Sequence, residues 1–151
     1  MCLWTGPGTL YESCCTNRSI PNAVVIPELA YPNVSEAAKW LCRAFGFRER
    51  LLIADHRAQL SVGESGAIVV MEAPPDAAVD SLHKVMVRID NVREHHANAQ
   101  AHGAVILRAP EDYPFGERQY TAKDFAGQVW TFTETIADGD PAQWSCTLVD
   151  Q

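Results

Sequence analysis

No window of the 151-residue sequence approaches the roughly eighteen consecutive apolar residues that a membrane-spanning helix needs. A basic excess is also missing: 12 Lys and Arg stand against 19 Asp and Glu, a net charge of −7. Such a chain repels polyanions, so neither nucleic acid nor an anionic membrane is expected as a partner. The opening, Met1-Cys2-Leu3-Trp4-Thr5-Gly6, has no basic region and no long apolar run, and does not read as a secretory signal. The five cysteines (Cys2, Cys14, Cys15, Cys42, Cys146) match neither a C-x-x-C redox pair nor a zinc spacing, and cannot all pair internally. Cys14-Cys15 reads as ordinary reduced thiols, with a soft-metal site as the alternative. These absences lead to the expectation of a cytoplasmic protein. The length suits one domain with a substantial core, and 47% hydrophobic residues can fill it.

What is present is a duplication. Asn33-Val34-Ser35-Glu36 returns as Asn91-Val92-Arg93-Glu94, and each copy follows a strand-like run. An Ala-rich amphipathic stretch follows each copy and stops at Gly46 or Gly103. Each half also has an apolar strand that begins after a glycine and ends in Glu, Gly66 to Glu72 and Gly127 to Glu134. A period of about sixty residues is longer than that of solenoids, and two copies are too few for an array. Duplicated half-domains forming one cleft fit better.

Asn33 and Asn91 are placed to cap helices, each with a Glu three residues on. Ala37, Ala38, Leu41, Cys42 and Phe45 share one helical face, and Cys42 reads as packing there. The remaining runs predict strands over Ala23–Tyr31, Phe47–Ile53, Ala58–Val62 and Ala67–Glu72 in the first half. In the second, strands are predicted up to Ile89, over Ala104–Leu107, Glu117–Lys123 and Gln128–Thr135. Pro110, Asp112, Tyr113, Pro114 and Gly116 read as a loop, and Asp124–Gly127 as a four-residue turn. Pro27 within the first strand implies an edge or a bulge. The resulting fold class is α+β, two tandem β-α-β-β-β modules curling a mixed sheet around a cleft. The modules occupy 23–72 and 83–136, joined near Ala73–Asp80, within a domain spanning 23–136. An irregular leader covers 1–22 and a tail covers 137–151.

The segment Pro114-Phe115-Gly116-Glu117-Arg118, continuing to Asp124-Phe125-Ala126-Gly127-Gln128-Val129-Trp130-Thr131-Phe132, is similar to the Y/F-G-x-R…D-P-x-G-x-x-W-x-F ending of the vicinal oxygen chelate superfamily. Phe125 replaces the usual Pro. Tyr31-Pro32-Asn33-Val34-Ser35-Glu36-Ala37-Ala38-Lys39-Trp40-Leu41 resembles that group's V-x-D-x-x-x-A-x-x-F-Y opening. The superfamily includes glyoxalase I, extradiol dioxygenases, and fosfomycin- and bleomycin-resistance proteins, and the resemblance covers roughly Val24 to Thr135. It implies a homodimer. It also implies that metal ligands, where used, would fall at Ile26, Val70, Lys84 and Thr131. Ile and Val offer no lone pair, Lys is protonated and Thr is a weak donor, so no metal and no cofactor are expected. A slipped alignment would bring in Glu28, Glu72, His83 and Glu134, but a slip of one turns a strand side chain to the other face.

If the resemblance holds, strand parity points Ile26, Glu28 and Ala30, Val70 and Glu72, Lys84, Met86 and Arg88, and Val129, Thr131 and Thr133 into the cleft. A two-residue hairpin between Asp124 and Gly127 would set Tyr120 opposite Thr131 and Arg118 opposite Thr133, adding both to it. The expected ligand contacts are therefore Glu28, Lys84, Met86, Arg118, Tyr120 and Thr131, with catalytic residues unassigned. Trp130 reads as a core aromatic, and His95, His96 and His102 as a solvated helix face. The function expected is binding and sequestration of a small organic ligand, amphipathic and neutral or cationic. The alternative is a lyase, isomerase or dioxygenase of the same superfamily, with displaced metal ligands or metal-free catalysis. Lys84 and Arg118 leave a carboxylate or phosphate ligand open as well.

Overall fold

In the computed structural model, which describes residues 18–78, 83–140 and 143, Asn33 and Asn91 each start a helix. α1 spans Val34–Phe45 and α2 spans Val92–Ala101. Asn33 Oδ1 accepts from the Glu36 N–H at 2.9 Å, and Asn91 Oδ1 from the Glu94 N–H at 3.1 Å. Each bond satisfies one of the amide donors that a helix N-terminus leaves without an intrahelical partner. Gly46 and Gly103 follow the helices with φ of 74° and 89°, the left-handed conformation that ends a helix at little cost only in glycine.

Eight strands complete the described chain: β1 (Glu28–Tyr31), β2 (Arg48–Ile53), β3 (Arg57–Val62), β4 (Gly66–Glu72), β5 (Lys84–Arg88), β6 (Val105–Tyr113), β7 (Glu117–Lys123) and β8 (Val129–Thr135). The fold is α+β, with two helices and two four-stranded mixed sheets ordered β1-β4-β3-β2 and β5-β8-β7-β6. In each sheet the first strand runs parallel to the last, and the other pairs are antiparallel. The chain divides into two compact units. One holds the residues up to Cys42 and Phe47–Pro75, and the other Arg43–Gly46 and everything from Asp76. Most of the predicted leader, the end of the Ala73–Asp80 linker and most of the tail lie outside the described residues.

The first unit buries Tyr31, Leu60, Ile68 and Val70 of its sheet together with Val34, Ala37, Ala38 and Leu41 of α1. Cys42, expected in that stripe, is half-buried; burial and then the Glu49 charge push its thiol pKa up. The second unit buries Trp130, Phe132, Tyr120, Ala122 and Val87, with Val92 and Ala99 of α2. Phe45, at the end of α1, joins this cluster with its ring 4.8 Å from Phe132 and 5.5 Å edge-on to Trp130. Burying each such aromatic contributes on the order of 2–3 kcal/mol.

Three local expectations fail for identifiable reasons. β1 starts only at Glu28, because Pro27 has no N–H to give; its carbonyl still accepts from Val69 N at 2.9 Å. β6 runs through the predicted loop to Tyr113. It is an edge strand, and its register shifts between Ile106 and Arg108 and again between Arg108 and Glu111, which accommodates Pro110. The β7–β8 connection is longer than two residues: Asp124 N donates to Gln128 O at 3.0 Å and Lys123 pairs with Val129. Asp124 is buried inside that turn. Its Oδ1 accepts from Ala126 N and Gln128 N, each at 3.0 Å, and its Oδ2 from Trp130 Nε1 at 3.1 Å. The spacing of Asp124, Gly127 and Trp130 is thus a turn held by one carboxylate.

Candidate functional site

The longer turn moves β7 by one residue against β8, and so exchanges which β7 side chains share a face with Thr131. Tyr120 pairs with Phe132 and Arg118 with Glu134, while Thr121 pairs with Thr131 and Gln119 with Thr133. Tyr120 and Arg118 therefore lie on the α2 side of the sheet, not on the face that carries Thr131. Arg118 is occupied there: its Nε and one terminal nitrogen donate to the two Asp112 carboxylate oxygens at 2.5 and 2.8 Å, and Glu134 lies 4.0 Å away. The Arg118 hydrogen bond holds the Asp112 carboxyl below the usual carboxylate range. Glu134 accepts from the Val92 N–H at 2.9 Å, a carboxylate at a helix N-terminus where the macrodipole favours it.

Tyr120 is fully buried, and its hydroxyl lies 2.6 Å from His95 Nδ1. The other His95 nitrogen, Nε2, is 2.9 Å from the Phe45 carbonyl oxygen. A carbonyl can only accept, so Nε2 carries the proton and Nδ1 accepts from the tyrosine. Burial lowers the His95 pKa, partly opposed by the Phe45 carbonyl, and burial raises that of Tyr120. His95 is therefore half-buried and packed on the aromatic cluster, contrary to the solvated face expected of it. Its ring lies 4.3 Å from that of Phe132, and the His96 ring meets Tyr120 edge-on at 5.3 Å. Val92, His95, His96 and Ala99 stand at i, i+3, i+4 and i+7, so an inward-facing stripe was present in the sequence, with two half-buried positions filled by histidine. His102 is exposed, with Nδ1 2.8 Å from Asn98 O.

The face away from α2 holds the other candidates. Lys84, Met86 and Arg88 of β5 pair with Val129, Thr131 and Thr133 of β8, which pair in turn with Lys123, Thr121 and Gln119 of β7. Lys84, Met86 and Thr131 are thus brought together. Met86 is 61% exposed and Thr131 only 7%. Thr131 and Thr121 hydroxyls are 3.3 Å apart. Glu117, on the same face, accepts from the Thr133 and Thr135 hydroxyls at 2.6 Å each, and those bonds hold its pKa down.

Glu28 belongs to the first unit, where it pairs with Val69 and forms an ion pair with Arg57. Ala30 shares its face with Val69 and Met71; Val70 and Glu72 point to the opposite side, reversing the inward direction expected of them. Ile26 precedes β1, so strand parity does not apply to it. Arg50 donates to Gln59 on this sheet and also to the carbonyls of Arg18 and Ile20, at 2.8 and 3.0 Å.

The paired helix caps, the matching sheet orders and the turn built on Asp124 and Trp130 define a glyoxalase-type α+β protein. The sequence model of the Glyoxalase/Bleomycin resistance protein/Dioxygenase superfamily matches residues 22–132, and the chain belongs to that superfamily. Among solved structures it is similar to TioX from Micromonospora sp. ML1, at 33% identity and a TM-score of 0.62, over 74% of this chain and 97% of that one. The fold also matches a glyoxalase/bleomycin resistance protein from Streptomyces sp. CB03234, at 19% identity and TM-score 0.60, over 72% of this chain and 97% of that one. Lactoylglutathione lyase from Agrobacterium tumefaciens is a further match in fold, at 16% identity and TM-score 0.59, over 76% of this chain and 94% of that one. No curated protein matches.

The residues present do not fit the divalent metal that part of the superfamily uses. At the implied positions, Val70 is a buried hydrocarbon, Ile26 a half-buried one, Lys84 is a cation and Thr131 holds its hydroxyl near Thr121. Of the neighbouring acids, Glu28 is paired with Arg57 and Glu134 caps α2. Among the described residues no group of three or more His, Cys, Asp or Glu is placed to hold a metal ion. No described helix is long and apolar enough to cross a membrane.

Proposed function

We propose that this protein binds and sequesters a small amphipathic organic molecule without a metal, in the manner of the bleomycin-resistance branch. The observation that carries this reading is the α2-free face of the second sheet. There exposed Met86 and Val105 flank the paired hydroxyls of Thr131 and Thr121, with charged side chains at hand. Apolar surface with a few convergent polar groups is the usual makeup of a selective ligand site. Donor chemistry at Ile26, Val70, Lys84 and Thr131 supports the metal-free part of the reading. Each β-α-β-β-β module is taken to curl its sheet so that the helix-free face is concave. Lys84, Met86 and Thr131 are the contacts assigned. Tyr120 and Arg118 are left out, because their polar groups are already engaged on the helix side. Glu28 is left out because Arg57 already balances its charge. The assembly proposed is a homodimer, to be checked by light scattering.

A thermal-shift screen of amphipathic compounds, cationic antibiotics and aldehyde–thiol adducts, run with and without chelator beside elemental analysis, tests the proposal. The expected result is a ligand that raises the melting temperature equally in both conditions. Stoichiometric zinc, nickel, iron or manganese retained through dialysis, or turnover of an adduct, would move the protein to the lyase or isomerase reading.

A further inference from the structure

Charge is unevenly spread over the α2-free face of the second sheet. Strand pairing sets its side chains in rows. One row runs Lys84, Val129, Lys123, Val105, and the next runs Met86, Thr131, Thr121, Arg108. The third is Arg88, Thr133, Gln119, Glu111, and beyond it stand Thr135, Glu117 and Tyr113. The first two rows hold three cations and no carboxylate; the acids lie at the far end with Arg88. Glu117 there is already taken by two threonine hydroxyls.

Lys84 and Lys123 flank Val129 two strand spacings apart, about 10 Å, so two flexible lysine stems can bring both ammonium groups to one point above it. Among the described residues neither lysine has an ion-pair partner. Arg108, in the adjoining row, donates to the Tyr113 hydroxyl at 2.8 Å. Between these cations lies the Thr131–Thr121 hydroxyl pair, one member of which keeps its proton to donate, and beside it the exposed side chains of Met86 and Val105. Two like charges held near one another without a counter-charge lose free energy that an incoming anion restores.

We propose that this basic half of the face is an anion subsite, and that the ligand is an organic acid with an apolar body. Its carboxylate or sulfonate sits over Val129 between Lys84 and Lys123, within reach of the Thr131 and Thr121 hydroxyls, and its apolar part lies along Met86 and Val105. This rests on the binding reading above and reverses the charge preference expected from the whole chain. The net charge of −7 is a sum over the molecule, whereas a bound group feels its neighbours within a Debye length.

The test titrates the full chain with three fluorescent probes: anionic anilinonaphthalene sulfonate, neutral N-phenylnaphthylamine and cationic ethidium. Two double variants accompany the wild type, Lys84→Gln/Lys123→Gln and the charge-keeping Lys84→Arg/Lys123→Arg. The anionic probe is expected to bind best, with its Kd raised about tenfold or more in the Gln pair and no more than about twofold in the Arg pair. The neutral probe should change by less than about twofold throughout. Tighter binding of the neutral or cationic probe, or an anion Kd indifferent to the Gln pair, overturns the anion subsite and leaves the binding reading standing. Failure of all three probes to bind overturns both.

Discussion

The two sheets share one strand order but turn very different surfaces to the side away from their buried aromatic or aliphatic core. On the first sheet, Val69 and Met71 lie beside Glu28, Arg57 and Gln59, and the charged groups are engaged internally: Glu28 in an ion pair with Arg57, Arg50 in hydrogen bonds to Gln59 and to the Arg18 and Ile20 carbonyls. On the second, three threonines of β8 face Thr121, Gln119 and Glu117, while Lys84 and Lys123 have no carboxylate partner among the described residues. A face whose charges are satisfied within the protein gains little by meeting a ligand. One with open cations and exposed apolar side chains gains more. Two copies of a fold unit thus keep the same backbone plan, while only the second leaves Lys84 and Lys123 on this face without an ion-pair partner among the described residues.

The largest test of that contrast is in the hairpin turns. The β7–β8 turn is organised by buried Asp124, whereas the β3–β4 turn around Gly63 is exposed. Asp124→Ala leaves three N–H groups without their acceptor and should cost about 4 kcal/mol, read as a lower urea midpoint. Glu64→Ala in the other turn should stay within about 0.5 kcal/mol. Equal effects would show that the second turn is no more organised than the first.

Gly116→Ala comes next. Gly116 has φ of 88°, and an added Cβ would stand 2.2 Å from the Ala137 carbonyl oxygen. Backbone must move, at about 3 kcal/mol, whereas Gly63→Ala, with open space around it, should cost about 1 kcal/mol from its φ alone. Thermal melts of both variants decide the order.

Tyr120→Phe removes the donor to His95 Nδ1 and should cost about 1–2 kcal/mol. The same pair sets a pH dependence. Folding lowers the His95 pKa, so between the folded and unfolded values the unfolded chain binds the extra proton. Stability is then complete above the unfolded value of about 6.5 and falls as pH drops below it. Urea midpoints measured across that range should decline in the wild type, and His95→Gln should flatten the slope. A midpoint that rises on acidification would contradict the geometry.

Glu28→Gln should have only a small effect, no more than about 1 kcal/mol, because both partners of its ion pair with Arg57 are substantially exposed. A larger loss would mean that the first sheet depends on its surface charges more than its exposure allows.

Local chemistry was enough to place the duplicated asparagine caps, the glycines that end both helices, the α+β class and most of the strands. Each of these depends on residues a few positions apart, so one segment carries its own signal. Trp130 as a core residue followed from the strand parity that the family resemblance implied. The face on which Tyr120 and Arg118 stand did not. It depends on one residue of turn length, and that length is fixed by how Asp124 reaches Trp130 Nε1 once both are buried. A single-residue change in register sends every side chain of β7 to the other face. Val70 was misplaced for a similar reason, since its direction is set by the pairing of β1 with β4, distant in sequence. The helical spacing of His95 carried a signal for its inward placement, but the partners of His95 and Glu134 were invisible: one lies between Phe45 and Tyr120, the other caps α2, and these partnerships join elements separated by dozens of residues. The sequence determined which elements form because their signals are local. Only the tertiary structure decided which side chains meet, because strand register and burial are properties of the paired chain.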